Sequence, residues 1–146
     1  MDDADIELRN LTYRMFVDAG RAPNVDEVAE AAGETPLEIA LPWRRLSDAH
    51  AVLHHDTLQL RMLNPFSAVV TGYRVHADGR SWYGNCAWDA FGICAALHVG
   101  GHIEWACPDC GETMEAEVRA GRATPDDLVF HCLVPAAQWW DDIVFT

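Results

Sequence analysis

The chain has 146 residues, enough for one domain or for one small domain with a compact appendage. Half of its residues are hydrophobic, a composition that supports a packed core and excludes a disordered chain. All ten basic residues are Arg and 23 residues are acidic, for a formal charge of −13. This charge disfavours nucleic acid and anionic membrane as partners, but it does not repel soft metal cations or neutral organometals.

The N-terminus and the cysteine count bear on the cellular compartment. No apolar run approaches the roughly 20 residues that span a bilayer. The segment Met1-Asp2-Asp3-Ala4-Asp5 is acidic where a signal peptide is basic, so we expect a cytoplasmic protein with no membrane partner. Five Cys is an odd count, and in that compartment they stay thiols that serve packing, metal binding or chemistry.

Three helices are predicted in the first third of the chain. Residues 5–19 place apolar side chains at helical spacing. Asn24 and Glu27 form a capping-box pattern that opens a second, short helix. Thr35 caps a third helix, which carries Pro at its first position and is expected to run to about Ala49.

Two short strands are predicted next, at 51–54 and 58–62, around a turn at 55–57. Three helices followed by a hairpin is the order of a winged helix. That shape suggests DNA binding, but the negative charge argues against it, so we interpret the hairpin as a structural wing. We expect residues 1–63 to form this winged-helix-like region.

The second half alternates short strands with short helices. A helix is predicted from Cys86 to about Leu97, and another short helix begins at Pro135 with Trp139-Trp140. Strands are predicted at 68–76, 81–83, 102–107, 112–118 and 128–134, with the beginning of another at 143–145. The predicted fold class is therefore α+β, with a small mixed or antiparallel β core in residues 64–146.

Cys86 and Asp89 are the first candidates for chemistry. Cys86 lies at a predicted helix N-terminus, where the helix dipole and free N–H groups favour thiolate over thiol. Asp89 follows by about one turn, on the same side of the helix. Sulfur binds a soft metal, and a carboxyl group can carry a proton to the leaving group. From spacing alone, a buried Cys followed by a helix-capping Asp is the commoner arrangement.

The context of this pair resembles the alkylmercury (organomercurial) lyase family. The resemblance is carried by Asn64-Pro65-Phe66-Ser67-Ala68-Val69, by Tyr73-Arg74-Val75, and by the run from Tyr83 through Asn85-Cys86-Ala87-Trp88-Asp89 to Ile93. It continues more loosely through Cys107-Pro108, Gly111, Val134-Pro135-Ala136 and Trp140-Asp141-Asp142-Ile143, and so covers most of residues 64–146.

The resemblance implies a mechanism without a required cofactor. Cys86 would capture the mercury of an organomercurial, and Asp89 would activate thiols and then protonate the departing carbon. A second Cys would help to hold mercury, and low-molecular-weight thiols would remove Hg(II). By alignment that second Cys is expected just beyond Thr146, so either the core at 64–146 is truncated at its C-terminus or the protein lacks this ligand.

The segment Cys107-Pro108-Asp109-Cys110-Gly111 is the second candidate. Its C-x-x-C spacing is that of half a zinc knuckle, and His98 and His102 upstream can complete a structural Zn²⁺ set. A tight turn with incidental thiols is slightly favoured over zinc, and redox or mercury handling is a third interpretation. Of the remaining thiols, Cys94 is predicted to serve packing.

Two hypotheses of different class follow from these patterns. In the first, the protein is a carbon–mercury lyase that uses Cys86 and Asp89. In the second, it is a non-catalytic winged-helix relative that binds Hg, Cu or Zn through its thiols and acts as a sensor, carrier or partner. Metal analysis combined with thiol titration distinguishes binding from bond cleavage.

Overall fold

Three helices precede an antiparallel sheet in the computed structural model, which describes residues 2–54 and 56–143, and the predicted α+β class is confirmed. The helices are α1 (Asp3–Ala19), α2 (Val25–Ala32), α3 (Pro36–Asp48) and α4 (Ala87–Leu97). The strands are β1 (Leu53–His54), β2 (Leu60–Leu63), β3 (Phe66–Ser67), β4 (Tyr73–Ala77), β5 (Arg80–Gly84), β6 (Gly101–Ala106), β7 (Thr113–Arg119) and β8 (Arg122–Thr124). A 3₁₀ helix spans Ala136–Asp141.

The front helices begin and end where local capping chemistry predicts. The Asn24 side chain accepts from the backbone N–H of Glu27, whose carboxylate accepts from the N–H of Asn24, so both halves of the predicted capping box are present. Thr35 and Glu38 form the same arrangement at the start of α3. The left-handed backbone at Gly33, φ 72°, ends α2.

The strands form one eight-stranded sheet in the order β1-β2-β3-β5-β4-β6-β7-β8, and every neighbouring pair is antiparallel. The predicted hairpin of β1 and β2 forms one edge of that sheet, because β2 also pairs with β3. The sheet therefore continues from residue 63 to residue 64, across the predicted boundary between the two regions. The winged-helix character and the domain boundary there stay predictions, and the predicted turn at 55–57 includes His55, which lies outside the described residues.

The strand predicted at 68–76 begins only at Tyr73. The preceding loop is held by side-chain hydrogen bonds that compete with strand pairing. The Ser67 hydroxyl donates to the carbonyl of Val69 at 2.8 Å, and the Thr71 hydroxyl donates to that of Gly84 at 2.6 Å. Asp78 and Gly79 form the turn between β4 and β5, and both residues adopt positive φ.

The strand predicted at 128–134 is wrong. These residues form an irregular segment in which Val129 and Leu133 are 89% and 77% exposed, so their apolar character does not reflect burial in a sheet. The outer partner of β7 is instead β8, a three-residue strand too short to give a pattern. The short helix predicted after Pro135 is present as the 3₁₀ helix. Residues 144 and 145 of the strand predicted at 143–145 lie outside the described residues.

The main core joins the front helices to the sheet. Phe66 of β3 lies between Phe16 of α1, at 5.3 Å between ring centroids, and Trp82 of β5, at 6.1 Å. Trp43 of α3 and Ile93 of α4 are buried in the same cluster. Burial of these large side chains is the main stabilising contribution. Among the described helices, none combines the length and the apolar composition needed to cross a bilayer.

Candidate active site

Cys86 and Asp89 lie at the junction of β5 and α4. Cys86 is the N-cap residue of α4, and the carbonyl of Cys86 accepts from the N–H of Ala90 at 3.0 Å. The preceding Gly84 allows this close junction, because a Cβ there would lie 2.7 Å from the Ala90 nitrogen and 3.1 Å from the Cys86 oxygen. The absence of a side chain at Gly84 thus lets α4 begin directly against the strand.

The two side chains meet as a thiol–carboxylate pair. The Cys86 thiol donates to Oδ2 of Asp89 over 3.7 Å, and the Asn64 amide donates to Oδ1 of Asp89 over 3.1 Å. The backbone carbonyl of Asn64 accepts in turn from the Tyr13 hydroxyl of α1. Asp89 is only 5% exposed, whereas Cys86 is half-buried and Asn64 is exposed. Both carboxylate oxygens therefore have a partner, and the sulfur remains accessible from solvent.

The environment of Asp89 suits a group that exchanges a proton near neutral pH. Burial raises the pKa of this carboxyl group from its ordinary value of 3.8 to about 6, although hydrogen bonds from Cys86 and Asn64 oppose the increase. The carboxyl group is consequently ionised in most molecules at pH 7 and still becomes protonated easily. These are the properties of a group that can act first as a base and then as an acid.

The resting state of Cys86 differs from the sequence prediction. Burial raises the pKa of the thiol, and the nearby Asp89 charge raises it further. The backbone N–H groups of Asp89 and Trp88 lower the pKa, as expected at a helix N-terminus, but their effect is smaller than that of burial. The expectation of a resting thiolate is therefore wrong, and the sulfur carries its proton at neutral pH.

The four residues predicted as zinc ligands are not brought together. His98 ends α4, and the imidazole of His102 on β6 lies 2.9 Å from the carboxylate of Glu117 on β7. Across residues 2–54 and 56–143, no group of three or more His, Cys, Asp or Glu side chains is arranged to hold a metal ion. Cys107 and Cys110 thus lack the two His ligands that a Cys₂His₂ zinc site requires.

The five thiols occupy different environments. Cys94 is 2% exposed within the core, in agreement with its predicted packing role. Cys132, on the segment wrongly predicted as a strand, is exposed. Cys107 is half-buried and Cys110 is exposed. The pKa of Cys107 is lowered by the N–H groups of Cys110 and Asp109 and by the Cys110 thiol, so Cys107 ionises more easily than an ordinary thiol.

Asn64 is the site residue that sequence reasoning did not identify. It opens the Asn-Pro-Phe-Ser motif, but its amide acts on a carboxylate 25 positions later, a distance that no local pattern covers. A second long-range contact joins the Asn85 amide to the carbonyl of Ile143 over 3.3 Å. The end of the described chain therefore lies next to the residue that precedes Cys86.

An aromatic cavity lies against the outer face of α4, on the side away from the core. Its volume is about 990 Å³, and its lining includes Trp88, Phe91 and Phe130. Trp88 also contacts Trp139 of the 3₁₀ helix, with 6.3 Å between ring centroids. Cys86 and Asp89 are not among the lining residues, so this cavity is adjacent to the pair through Trp88 and does not contain it.

Comparisons with known proteins identify a family and a similar fold. The model of the family described as alkylmercury lyase, MerB, matches residues 66–146. Among solved structures, the chain is similar to the mercury-bound form of MerB2, with a TM-score of 0.65 and 20% sequence identity over 86% of this chain. The match covers 62% of that protein, so the present chain spans less than two thirds of its length, and the likeness concerns the fold. A comparison with curated proteins gave no significant match.

Proposed function

Because the chain belongs to the alkylmercury lyase family, we propose that it cleaves the carbon–mercury bond of organomercurials by protonolysis. The observation that carries the proposal is the contact of Cys86 Sγ with Asp89 Oδ2 at 3.7 Å, in which the carboxyl group has a pKa of about 6. Both residues fall within the matched range 66–146.

In the first step, the Cys86 sulfur binds the mercury of R–Hg–SR′, where R′S is a small thiolate. Binding to the metal acidifies the thiol, and its proton passes to Oδ2 of Asp89. The thiolate R′S⁻ leaves, which gives Cys86–S–Hg–R and a neutral Asp89. A buried carboxyl group with a raised pKa accepts this proton at little cost, so the resting thiol of Cys86 is compatible with capture of the metal.

In the second step, the proton on Asp89 goes to the carbon bound to mercury. The electron pair of the C–Hg bond forms the new C–H bond, and the hydrocarbon R–H leaves. An incoming thiolate R′S⁻ binds the mercury, which gives Cys86–S–Hg–SR′ and restores the Asp89 carboxylate. The Asn64 amide would hold that carboxyl group in position through both steps. A further thiol then exchanges with Cys86 and removes Hg(II).

The family resemblance implies a second mercury-binding Cys. The hydrogen bond between Asn85 and Ile143 brings residue 143 next to the residue that precedes Cys86. A second protein thiolate would take the place of one external thiolate in the scheme. It would increase electron density at mercury and weaken the C–Hg bond.

The test is turnover of phenylmercury by the full chain under excess thiol, with benzene measured by gas chromatography. We expect Cys86→Ser and Asp89→Ala each to lower the rate by at least about 100-fold, the usual contribution of an essential proton donor. Cys132→Ser, which alters an exposed thiol outside the site, should have no effect. If the wild-type protein binds Hg²⁺ stoichiometrically but releases no benzene, the non-catalytic metal-binding hypothesis replaces the lyase.

A further inference from the structure

Cys86 and Cys107 lie beyond the same end of the sheet. The strand β4 is antiparallel to both β5 and β6, so these two outer strands run in the same direction and end at one edge. Arg74 of β4 pairs with Tyr83 on one side and with Glu104 on the other. Cys86 lies three residues after Tyr83, and Cys107 lies three residues after Glu104.

This register places Cys86 and Cys107 beyond neighbouring ends of the sheet, with only β4 between the strands that they follow. Neighbouring strands are separated by about 4.8 Å, so two strands that flank a third are roughly 10 Å apart. Mercury bound to one of these residues therefore has a short path to the other.

Cys107 and Cys110 are themselves held on a closed turn. The N–H of Cys107 donates to the carbonyl of Glu112 at 2.8 Å, and the N–H of Gly111 donates to the carbonyl of Cys107 at 2.8 Å. Gly111 has φ 75°, a left-handed conformation that suits glycine. Pairing of Ala106 with Thr113 fixes the base of the turn. Two thiols on such a rigid turn are preorganised to share one ligand.

We propose that Cys107 and Cys110 form a two-thiolate site for one soft, closed-shell cation, and that this site accepts Hg(II) from Cys86 after the hydrocarbon has left. The second part rests on the proposed function. The described part of the chain assembles no four-ligand zinc site around these thiols, but Hg(II) is satisfied by two sulfur ligands in a nearly linear arrangement. Thiolate sulfur is the ligand that soft metals prefer.

The transfer is a ligand exchange without oxidation or reduction. The Cys107 thiolate attacks the mercury of Cys86–S–Hg–SR′, and the bond from mercury to Cys86 breaks. The Cys110 thiol then replaces R′S, to which its proton passes. The products are Cys107–S–Hg–S–Cys110, the free Cys86 thiolate and R′SH. Two thiols on one turn have a high effective concentration, so the second exchange is favourable against a dilute monothiol.

The test uses HgCl₂ as the probe and does not require carbon–mercury cleavage. Reduced full-length protein receives one equivalent of HgCl₂ with excess 2-mercaptoethanol, is desalted, and is then analysed for mercury. Cys86→Ser removes the other mercury-binding thiol, and in this variant we expect about one mercury per chain. We expect at least about tenfold less when Cys110→Ser or Cys107→Ser is added to Cys86→Ser. Cys132→Ser added to Cys86→Ser is the matched control and should retain mercury.

The inference is overturned if Cys86→Ser retains no mercury, or if adding Cys110→Ser to Cys86→Ser leaves the retained mercury unchanged. Cys110 is exposed and its turn is held by backbone hydrogen bonds, so Cys110→Ser should fold, which circular dichroism verifies. Cys110→Ala repeats the measurement independently. Mercury retained by Cys86→Ser, with no benzene release by the wild type, would support the Cys107–Cys110 site and contradict the lyase proposal. Benzene release by the wild type, with no mercury retained by Cys86→Ser, would support the lyase proposal and contradict this site.

Discussion

At the scale of single residues, Asp89 combines function with a cost in stability. Its pKa is about 6 in the folded protein, above its ordinary value of 3.8. Between about pH 4 and pH 6 the folded state therefore binds more protons than the unfolded state. The free energy of unfolding consequently falls as pH rises through this window, by up to roughly 3 kcal/mol. Above the window, the folded chain retains a buried carboxylate that water would solvate better.

The Asp89→Asn variant tests this cost. An amide keeps the shape of the side chain and removes the charge, so the free energy of unfolding at pH 7 should rise by roughly 1–3 kcal/mol. Below pH 4 the gain over the wild type should disappear, because Asp89 is then protonated in both states. Urea denaturation at pH 7 and below pH 4 measures this difference in the free energy of unfolding. Asp126→Asn, at an exposed position, is the control and should not give this pH-dependent gain.

The same variant should change the reactivity of Cys86. The Asp89 charge and its hydrogen bond with the thiol both raise the pKa of Cys86. Without this charge and this hydrogen bond, a larger fraction of Cys86 is thiolate, so iodoacetamide should modify Cys86 faster in Asp89→Asn than in the wild type. Benzene release should nevertheless be lost in this variant. Peptide mapping by mass spectrometry measures the rate at this residue. Equal or slower modification would contradict the assigned electrostatic role of Asp89.

At the scale of elements, the site depends on how closely α4 approaches β5. A Cβ at position 84 would lie 2.7 and 2.9 Å from the backbone nitrogen and Cα of Ala90. Backbone atoms cannot move aside as a flexible side chain can, so Gly84→Ala must displace the first turn of the helix. We expect a loss of roughly 1–3 kcal/mol in stability and a large loss of benzene release, because Cys86 and Asp89 move with that turn.

Gly72→Ala is the matched control for Gly84→Ala. Gly72 is a loop glycine next to β4, and a Cβ there would meet no atom within 4 Å. Thermal unfolding and turnover of this variant should resemble those of the wild type. If Gly84→Ala behaves in the same way, the close junction between strand and helix does not position the catalytic pair.

At the scale of the whole molecule, the front helices and the sheet share one core. Phe16 and Trp43 belong to the same buried cluster as Phe66 and Trp82. Separate unfolding of either part would expose the apolar side chains of the other, which disfavours a half-folded state. We therefore expect tryptophan fluorescence and far-ultraviolet circular dichroism to report one coincident urea transition. Two separated transitions would show that the helices fold independently of the sheet.

The sequence by itself determined the features that depend on near neighbours. The capping boxes at Asn24 and Thr35 and the β4–β5 turn are local, because their hydrogen bonds or backbone angles involve residues within one turn of each other. The pairing of Cys86 with Asp89 belongs to the same class, since a separation of three residues on a helix brings side chains together. The motifs around this pair also sufficed to identify the family.

Only the tertiary structure decided the features that depend on burial and on distant contacts. Burial outweighs the helix N-terminus at Cys86 and keeps it a thiol, and the Asn64 amide reaches Asp89 across 25 residues. The apolar run at 128–134 stays outside the sheet, because a hydrophobic pattern does not reveal whether a surface is available to cover it. Desolvation and long-range proximity are properties of the packed chain, and a local pattern does not encode them.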